Sequence, residues 1–197
     1  QGDNITLEKN DAYWGTPAQL DKVTFKFISD PSAAFAAVMA EDVDVFSGYP
    51  APENVPQFEA DARFQVLIVN TEGETILSTN NKMPPFDNVM VRKAMSHAID
   101  RQAIIDGAMF GLGTPIGTHF AEHNPDYVDL TAGSAYDPEL AKKMLAEAGF
   151  ADGFKTTLKL PPPSYARRGG EIIAAQLREV GIETEITNLE WAQWLEQ

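Results

Sequence analysis

The C-terminal part of the chain carries the pattern that most restricts its fold. Residues 156–160 are strand-forming, residues 165–180 have the apolar period of a helix, and residues 182–187 are strand-forming again. Gly181 separates the helix from the second strand and is well suited to ending a helix. Two strands joined by such a helix lie parallel in one sheet, with a right-handed connection. The pattern therefore predicts a βαβ unit and an α/β fold.

The rest of the chain also alternates strands with helices. We predict strands over residues 22–28, 43–47, 64–70 and 75–79, and helices over residues 32–40, 53–60, 89–99, 101–109 and 138–148. Aspartates precede three of these helices, and Asp87 or Asn88 precedes a fourth, as expected of N-caps. Residues 111–136 are predicted to be irregular. The proline-containing connector at residues 82–88 is the best candidate for a domain boundary.

The charge of the chain excludes several classes of partner. Its 15 basic and 29 acidic residues give a formal net charge of −14. Such a chain is repelled by nucleic acids and by anionic membrane surfaces, so we expect neither as a partner. The absence of cysteine excludes disulfides, zinc–cysteine sites and thiolate nucleophiles. No run of about 18 apolar residues is present and the N-terminus does not resemble a leader peptide, so we expect a soluble chain from which any targeting segment has been removed.

One histidine motif suggests metal chemistry. His119, Glu122 and His123 have the H-x-x-E-H spacing of a family of zinc peptidases, which need both histidines on one helical face. Glycines and prolines flank this motif and leave little room for a helix, so we expect a solvated loop without metal. His97 falls inside a predicted helix and is interpreted as a helix-face residue. Zinc-dependent hydrolysis at the motif remains the alternative function.

No other motif points to catalysis. The chain has no G-x-S-x-G nucleophile elbow, no Walker loop and no G-x-G-x-x-G after a strand. Pairs of aspartates occur, but 29 acidic residues produce such pairs by chance. We therefore predict a protein that is not an enzyme and needs no cofactor.

The loop between the first strand and the helix of the βαβ unit is the best candidate for ligand binding. It runs from three prolines into Tyr165, Arg167 and Arg168. In α/β proteins, ligands bind beyond the carboxyl ends of strands, and exposed N–H groups at a helix start favour anions. An arginine there can hold a carboxylate with two parallel hydrogen bonds. The alternative is that both arginines are solvated residues of the first helical turn.

The order and spacing of many short motifs resemble one known family, the extracellular solute-binding proteins of peptide and nickel ABC importers, family 5. The similarity extends over essentially the whole chain. It is carried by residues 10–15, 20–23, 43–45, 80, 85–89, 91–94, 98–101, 104–105, 136–142, 145–149, 176–182 and 190–191.

The resemblance implies a type II periplasmic-binding-protein fold with two partial α/β lobes. Residues 1–80 would form part of the first lobe and residues 81–197 part of the second. Members of the family are longer, so the chain is expected to be an internal fragment of a protein that is periplasmic or extracellular, with anchoring as a lipoprotein as one alternative. The implied function is capture of a peptide-like solute by a monomer and its delivery to a membrane permease.

The resemblance also implies a set of ligand-binding residues. From the first lobe these are Ser47, Gly48 and Tyr49 after one strand, and Ile76 and Leu77 in another. From the second lobe they are Tyr165, Arg167 and Arg168, since dipeptide-binding members carry a similar Ala-Arg-Arg sequence that points to a ligand carboxylate. Two departures from the family pattern stand out: the three prolines before Tyr165 are not a general family feature, and Ile76, Leu77 and Ser78 replace the bulky aromatic residues of oligopeptide binders. The cleft is therefore expected to suit something other than an oligopeptide. A scaffold or receptor domain with the same fold is a further alternative.

Overall fold

The computed structural model describes residues 2–196. Its internal packing divides the chain into two compact units, Gln1–Ala51 and Pro52–Gln197. The lobe boundary expected near residue 80 refers to a longer protein and stays a prediction.

The N-terminal unit is built on an antiparallel hairpin. Strand β1, Asn4–Glu8, pairs with β2, Lys22–Lys26, and sets Ile5 opposite Phe25 and Leu7 opposite Val23. These four side chains share one face, because side chains in a strand alternate between faces. The sequence prediction included β2 but missed β1, although Ile5 and Leu7 already alternate with polar residues.

One helix completes the regular structure described in this unit. Helix α1, Pro31–Met39, begins where the Asp30 carboxylate accepts a hydrogen bond from the Ala33 N–H at 2.7 Å. Proline is tolerated at the first position because that N–H has no partner within the helix. The predicted cap and helix are confirmed.

The predicted strand over residues 43–47 is wrong. These residues form bends and a turn, and Val45 is 84% exposed. β-branched and aromatic residues favour an extended chain, but a strand exists only when a neighbour pairs with it. Among the described residues no strand pairs with this segment.

The C-terminal unit begins with helices. A 3₁₀ turn at Pro52–Asn54 leads into α2, Val55–Glu59. Helices α3, Val89–Ala98, α4, Arg101–Met109, and α5, Pro138–Glu147, follow. Asn88, Asp100 and Asp137 each accept a backbone N–H at the start of these helices, as predicted.

Two further predicted strands in this unit are also wrong. Residues 64–70 and 75–79 have no ladder partner in the described part of the chain. Leu67 and Val69 are 76% and 73% exposed, so their apolar character is not satisfied by packing here. The sequence pattern indicates strand-forming residues but cannot supply the neighbouring strand.

The βαβ unit is confirmed. Strand β3, Phe154–Leu160, and β4, Ile182–Asn188, are parallel, with Phe154 opposite Ile182 and Leu160 opposite Asn188. Helix α6, Ser164–Glu179, connects them, and a short helix α7, Trp191–Leu195, follows β4. Gly153 and Gly181, just before each strand, have φ of +73° and +91°, and a side chain on Gly153 would overlap the backbone of Gly181.

The core of the C-terminal unit lies between α3, α5, α6 and β4. Its buried members come from all four elements: Val91, Ala94, Met95, Ala98, Ala141, Leu145, Leu177, Val180 and Ile182. Helix α4 also packs against α6. Within the described part of the chain, no helix is both long enough and apolar enough to cross a membrane.

Candidate functional site

The predicted ligand loop lies at the carboxyl end of β3, where α6 begins. Pro163 precedes the helix without a side-chain cap, and its carbonyl accepts hydrogen bonds from the N–H groups of Ala166 and Arg167. The Leu160 carbonyl accepts the Leu189 N–H at 2.9 Å, which holds the exits of both strands together. Tyr165, Arg167 and Arg168 therefore stand within the first five residues of α6, next to the paired exits of the two strands.

Arg168 is held by a carboxylate from a distant part of the chain. Its Nη2 lies 2.9 Å from Oε1 of Glu53 and its Nη1 lies 3.3 Å from Oε2. This two-point contact is the geometry that the sequence analysis assigned to a ligand carboxylate. On another side, the Arg168 guanidinium stands 5.1 Å from the centre of the Phe110 ring, a cation–π distance.

The two partners change each other's acidity. Hydrogen bonding to Arg168 lowers the pKa of Glu53, and partial burial opposes that effect. The same hydrogen bonds raise the pKa of Arg168. The two side chains are 33% and 39% exposed, so water screens the pair and its net contribution to stability is small.

Arg167 has different surroundings. Its Nη2 lies 3.6 Å from Oε1 of Glu190, beyond hydrogen-bonding distance, and the Glu190 side chain is 78% exposed. Its Nε is buried and has no hydrogen-bond partner among the described residues. Arg167 therefore still has hydrogen-bond donors without a partner in the described part of the chain, whereas both terminal nitrogens of Arg168 are already hydrogen-bonded.

The other predicted residues of the C-terminal unit differ in exposure. Tyr165 is 37% exposed and Ile76 is 52% exposed. Leu77 is partly buried and packs against the hydrophobic core. Ile76 and Tyr165 thus offer accessible surface, while Leu77 is mainly a packing residue of its unit.

Ser47, Gly48 and Tyr49 belong to the N-terminal unit. Ser47 and Gly48 form an exposed turn, and Gly48 has φ of +63°, which favours glycine. Tyr49 packs edge-on against Phe46, with ring centres 5.5 Å apart. The turn is present although the strand predicted before it is not.

The same unit holds an open cavity of about 600 Å³, beside the hairpin. Asn10 and Tyr13, both from one of the motifs that carry the resemblance, line it with Leu7, Leu20 and Val23. None of the predicted ligand residues lines this cavity. Its position indicates that the motif shapes the hairpin loop.

The histidine motif does not form a metal site. Residues 117–123 are non-helical, so no helical face presents His119 and His123 together. Each histidine instead faces a glutamate: His123 Nε2 lies 2.8 Å from Glu72 and His119 Nδ1 lies 3.4 Å from Glu74. No cluster of metal-ligating side chains occurs in residues 2–196. The alternative of zinc-dependent hydrolysis has no support.

His97 has a structural position on α3. Its Nδ1 lies 2.8 Å from the carbonyl oxygen of Ala135, and its own carbonyl accepts the Asp137 N–H. It therefore ties α3 to the segment that starts α5, in agreement with its interpretation as a helix-face residue.

Two residues of this site, Glu53 and Phe110, are not indicated by the sequence pattern. Glu53 is 115 positions from Arg168 and follows a Pro-Ala-Pro sequence that indicates only a turn. Phe110 ends α4 with φ of +55°, which is uncommon for an aromatic residue. That strain is visible in the fold and not in the sequence pattern, so no local signal could have identified either residue.

Comparisons with known proteins agree with this architecture. A family model described as "Bacterial extracellular solute-binding proteins, family 5 Middle" matches residues 1–197. The heme-binding protein A of Haemophilus influenzae is 30% identical over 96% of this chain and 36% of its own length. The dipeptide-binding protein of Escherichia coli K12 is 31% identical over 98% of this chain and 37% of its own length.

A solved structure gives the same result for the fold. The ABC transporter-associated periplasmic binding protein DppA of Helicobacter pylori, in complex with the peptide STSA, matches with a TM-score of 0.83 and 28% identity. The match covers 99% of this chain and 38% of that protein. The chain thus spans little more than a third of the length of these proteins. The structural match shows that it has a periplasmic-binding-protein-like α/β fold.

Proposed function

Because this chain belongs to the bacterial extracellular solute-binding proteins of family 5, we propose that the protein containing it captures a peptide-like solute and delivers it to the permease of an ABC importer. One relative is a dipeptide-binding protein and one solved neighbour holds a peptide. Members of this family are substrate-binding components of transporters. The proposal extends that role to this chain, without catalysis and as a monomer.

The observation that carries the proposal is the state of Arg167 on the first turn of α6. Its buried Nε has no partner among the described residues, and its nearest carboxylate is exposed and 3.6 Å away. The Arg167 side chain as a whole is 41% exposed, so a ligand carboxylate at this position would bind its terminal nitrogens and gain from the N-terminal end of the helix dipole. The terminal carboxylate of a peptide has this chemistry.

Capture would follow from closure of two lobes around the ligand. The lobes correspond to residues 1–80 and 81–197, with additional chain in the full-length protein. Ser47, Gly48, Tyr49 and Ile76 would contribute from the first, where Leu77 is mainly a packing residue. Tyr165 and Arg167 would contribute from the second, beside Arg168 in its pair with Glu53. A ligand that contacts both lobes stabilises the closed form by its difference in affinity for the two conformations. We place the protein in the periplasm or outside the cell, with a lipid anchor as one means of retention.

The experiment is to purify the full-length protein under native conditions and identify any co-purifying small molecule by mass spectrometry. Calorimetry with a panel of di- and oligopeptides then measures affinity. We expect a molecule with a free carboxylate and a dissociation constant at or below the micromolar range. Absence of binding to every peptide, together with a bound molecule lacking a carboxylate, would contradict the proposal.

A further inference from the structure

Two adjacent arginines stand at the candidate site, and they are not equivalent. Arg168 uses both terminal nitrogens on the two oxygens of Glu53, whereas Arg167 has a long contact to one exposed oxygen of Glu190. Neighbouring residues of a helix do not face one another, so the two side chains can have separate partners. This difference in pairing affects which ligands the site can accept.

The surroundings of Arg168 hold its guanidinium in place. Its terminal nitrogen donates a hydrogen bond to the Glu53 carboxylate, and the centre of the Phe110 ring lies 5.1 Å from its central carbon. A charged, two-point hydrogen bond is stronger than one between neutral groups, and its planar geometry leaves little freedom for the fork. Arg168 is therefore paired before any ligand arrives.

The pairing of Arg168 with Glu53 reduces the net positive charge at the start of α6. Arg168 and Glu53 together contribute no net charge, so an anion that approaches experiences mainly Arg167. Glu190 is a weaker competitor for Arg167, because it lies outside hydrogen-bonding distance and is 78% exposed. A second anionic group that approached Arg168 would meet the Glu53 carboxylate already in its place and would be repelled by it.

We propose that Glu53 is a specificity-determining residue: by occupying Arg168 it leaves Arg167 to bind one ligand carboxylate, and so restricts the site to ligands with a single carboxylate there. This inference rests on the proposed function and adds to it the charge class of the ligand. Glu53 acts through Arg168 and is a positioning residue.

The test compares two peptides of equal size, Ala-Gln and Ala-Glu, which differ by one carboxylate. Calorimetry of the full-length protein gives the ratio of their dissociation constants for the parent, for Glu53→Gln and for Glu190→Gln. Glu53→Gln keeps the shape of the side chain and releases Arg168. Glu190→Gln removes the same charge from the neighbouring pair and serves as the matched control.

We expect Glu53→Gln to shift the ratio towards Ala-Glu by about tenfold, the gain of one screened charge-assisted hydrogen bond. Glu190→Gln is expected to shift it by less than about threefold, since only screened charge is lost. The double variant Glu53→Gln/Arg168→Gln should return to the parental ratio, because the shift then has no cation to act through.

The outcomes separate this inference from the function on which it rests. An unchanged ratio in Glu53→Gln, with both peptides still bound, overturns the role of Glu53 and leaves peptide binding intact. An equal shift in Glu190→Gln also overturns it, because net charge would then explain the effect. Failure of every protein to bind either peptide overturns both proposals.

Discussion

At the residue scale, the structure separates two side chains that the sequence presents as equals. Arg167 and Arg168 share a helical turn, yet only the second meets a carboxylate within hydrogen-bonding distance among the described residues. The difference arises from Glu53, which reaches Arg168 from a 3₁₀ turn far away in sequence. At Arg168, the Glu53 carboxylate thus occupies the position that was predicted for a ligand carboxylate.

Replacing Arg167 with alanine should weaken binding of a ligand with one carboxylate by about 1–3 kcal/mol, the contribution of a charged hydrogen bond to a partly buried group. The double change Glu53→Gln/Arg168→Gln should cost less than about 1 kcal/mol, because the pair that it removes contributes no net charge to the site. Calorimetry of the full-length variants measures both. An amidated form of the same ligand is the control, since it should lose little with either change.

The Glu53–Arg168 pair should make stability depend on pH in one direction. The pKa of Glu53 is lowered by its hydrogen bonds to Arg168, so the pair stabilises the fold above the ordinary glutamate value of 4.5 and loses this effect as the pH falls through the lowered value. Because both side chains are about a third exposed, we expect no more than about 1 kcal/mol.

The measurement is the difference in free energy of unfolding between the parent and Glu53→Gln at several pH values. The difference should be present at pH 7 and disappear in acid. A difference that stays constant down to pH 3 would assign it to packing and not to charge.

At the element scale, the helices followed from local sequence because their caps are local. Asp30, Asn88, Asp100 and Asp137 each bind a backbone N–H two or three residues ahead. The strands were less predictable, since the ladder that defines them joins residues distant in sequence. Segments 43–47, 64–70 and 75–79 have strand-forming residues but no partner here, whereas β1 was missed and has one.

Two adjacent glycines in α6 differ in how closely their surroundings pack, although alanine has the higher helix propensity at both positions. A methyl group at Gly169 would lie 3.5 Å from Ile104 and 3.8 Å from Ala108, which are ordinary contacts. A methyl group at Gly170 would overlap the side chain of Leu160, which is buried at 6% exposure. The helix therefore approaches the sheet closely at one glycine and not at the other.

We expect Gly169→Ala to stabilise the protein by about 0.5–1 kcal/mol through helix propensity. Gly170→Ala should destabilise it by about 1–2 kcal/mol, because the cost of the overlap with Leu160 exceeds the same gain in helix propensity. Chemical denaturation of the two variants measures the difference. Equal stabilisation by both would show that Leu160 moves aside without cost.

At the scale of the whole molecule, this chain carries only part of what a binding site between two lobes would need. It covers 36–37% of the length of its heme- and dipeptide-binding relatives. Several large apolar side chains are exposed, among them Trp14, Val45, Leu67 and Val69.

The 197-residue chain by itself should therefore bind peptide ligands much more weakly than the full-length protein. Affinity that depends on contacts to two lobes is lost when one side is incomplete, and each tenfold loss corresponds to about 1.4 kcal/mol. Calorimetry of both proteins with the same peptides measures this. Micromolar or tighter binding by the short chain would contradict a site shared between lobes.

The sequence by itself determined the family, the βαβ unit and the helix caps, because each depends on spacing within a short segment or on the order of motifs. Tertiary structure alone decided which strands find partners, that Leu77 faces the core while Ile76 does not, and that Glu53 occupies Arg168. The reason is physical: caps and periodicity are local interactions, whereas ladders, burial and the Glu53–Arg168 pair join residues that only the fold brings together.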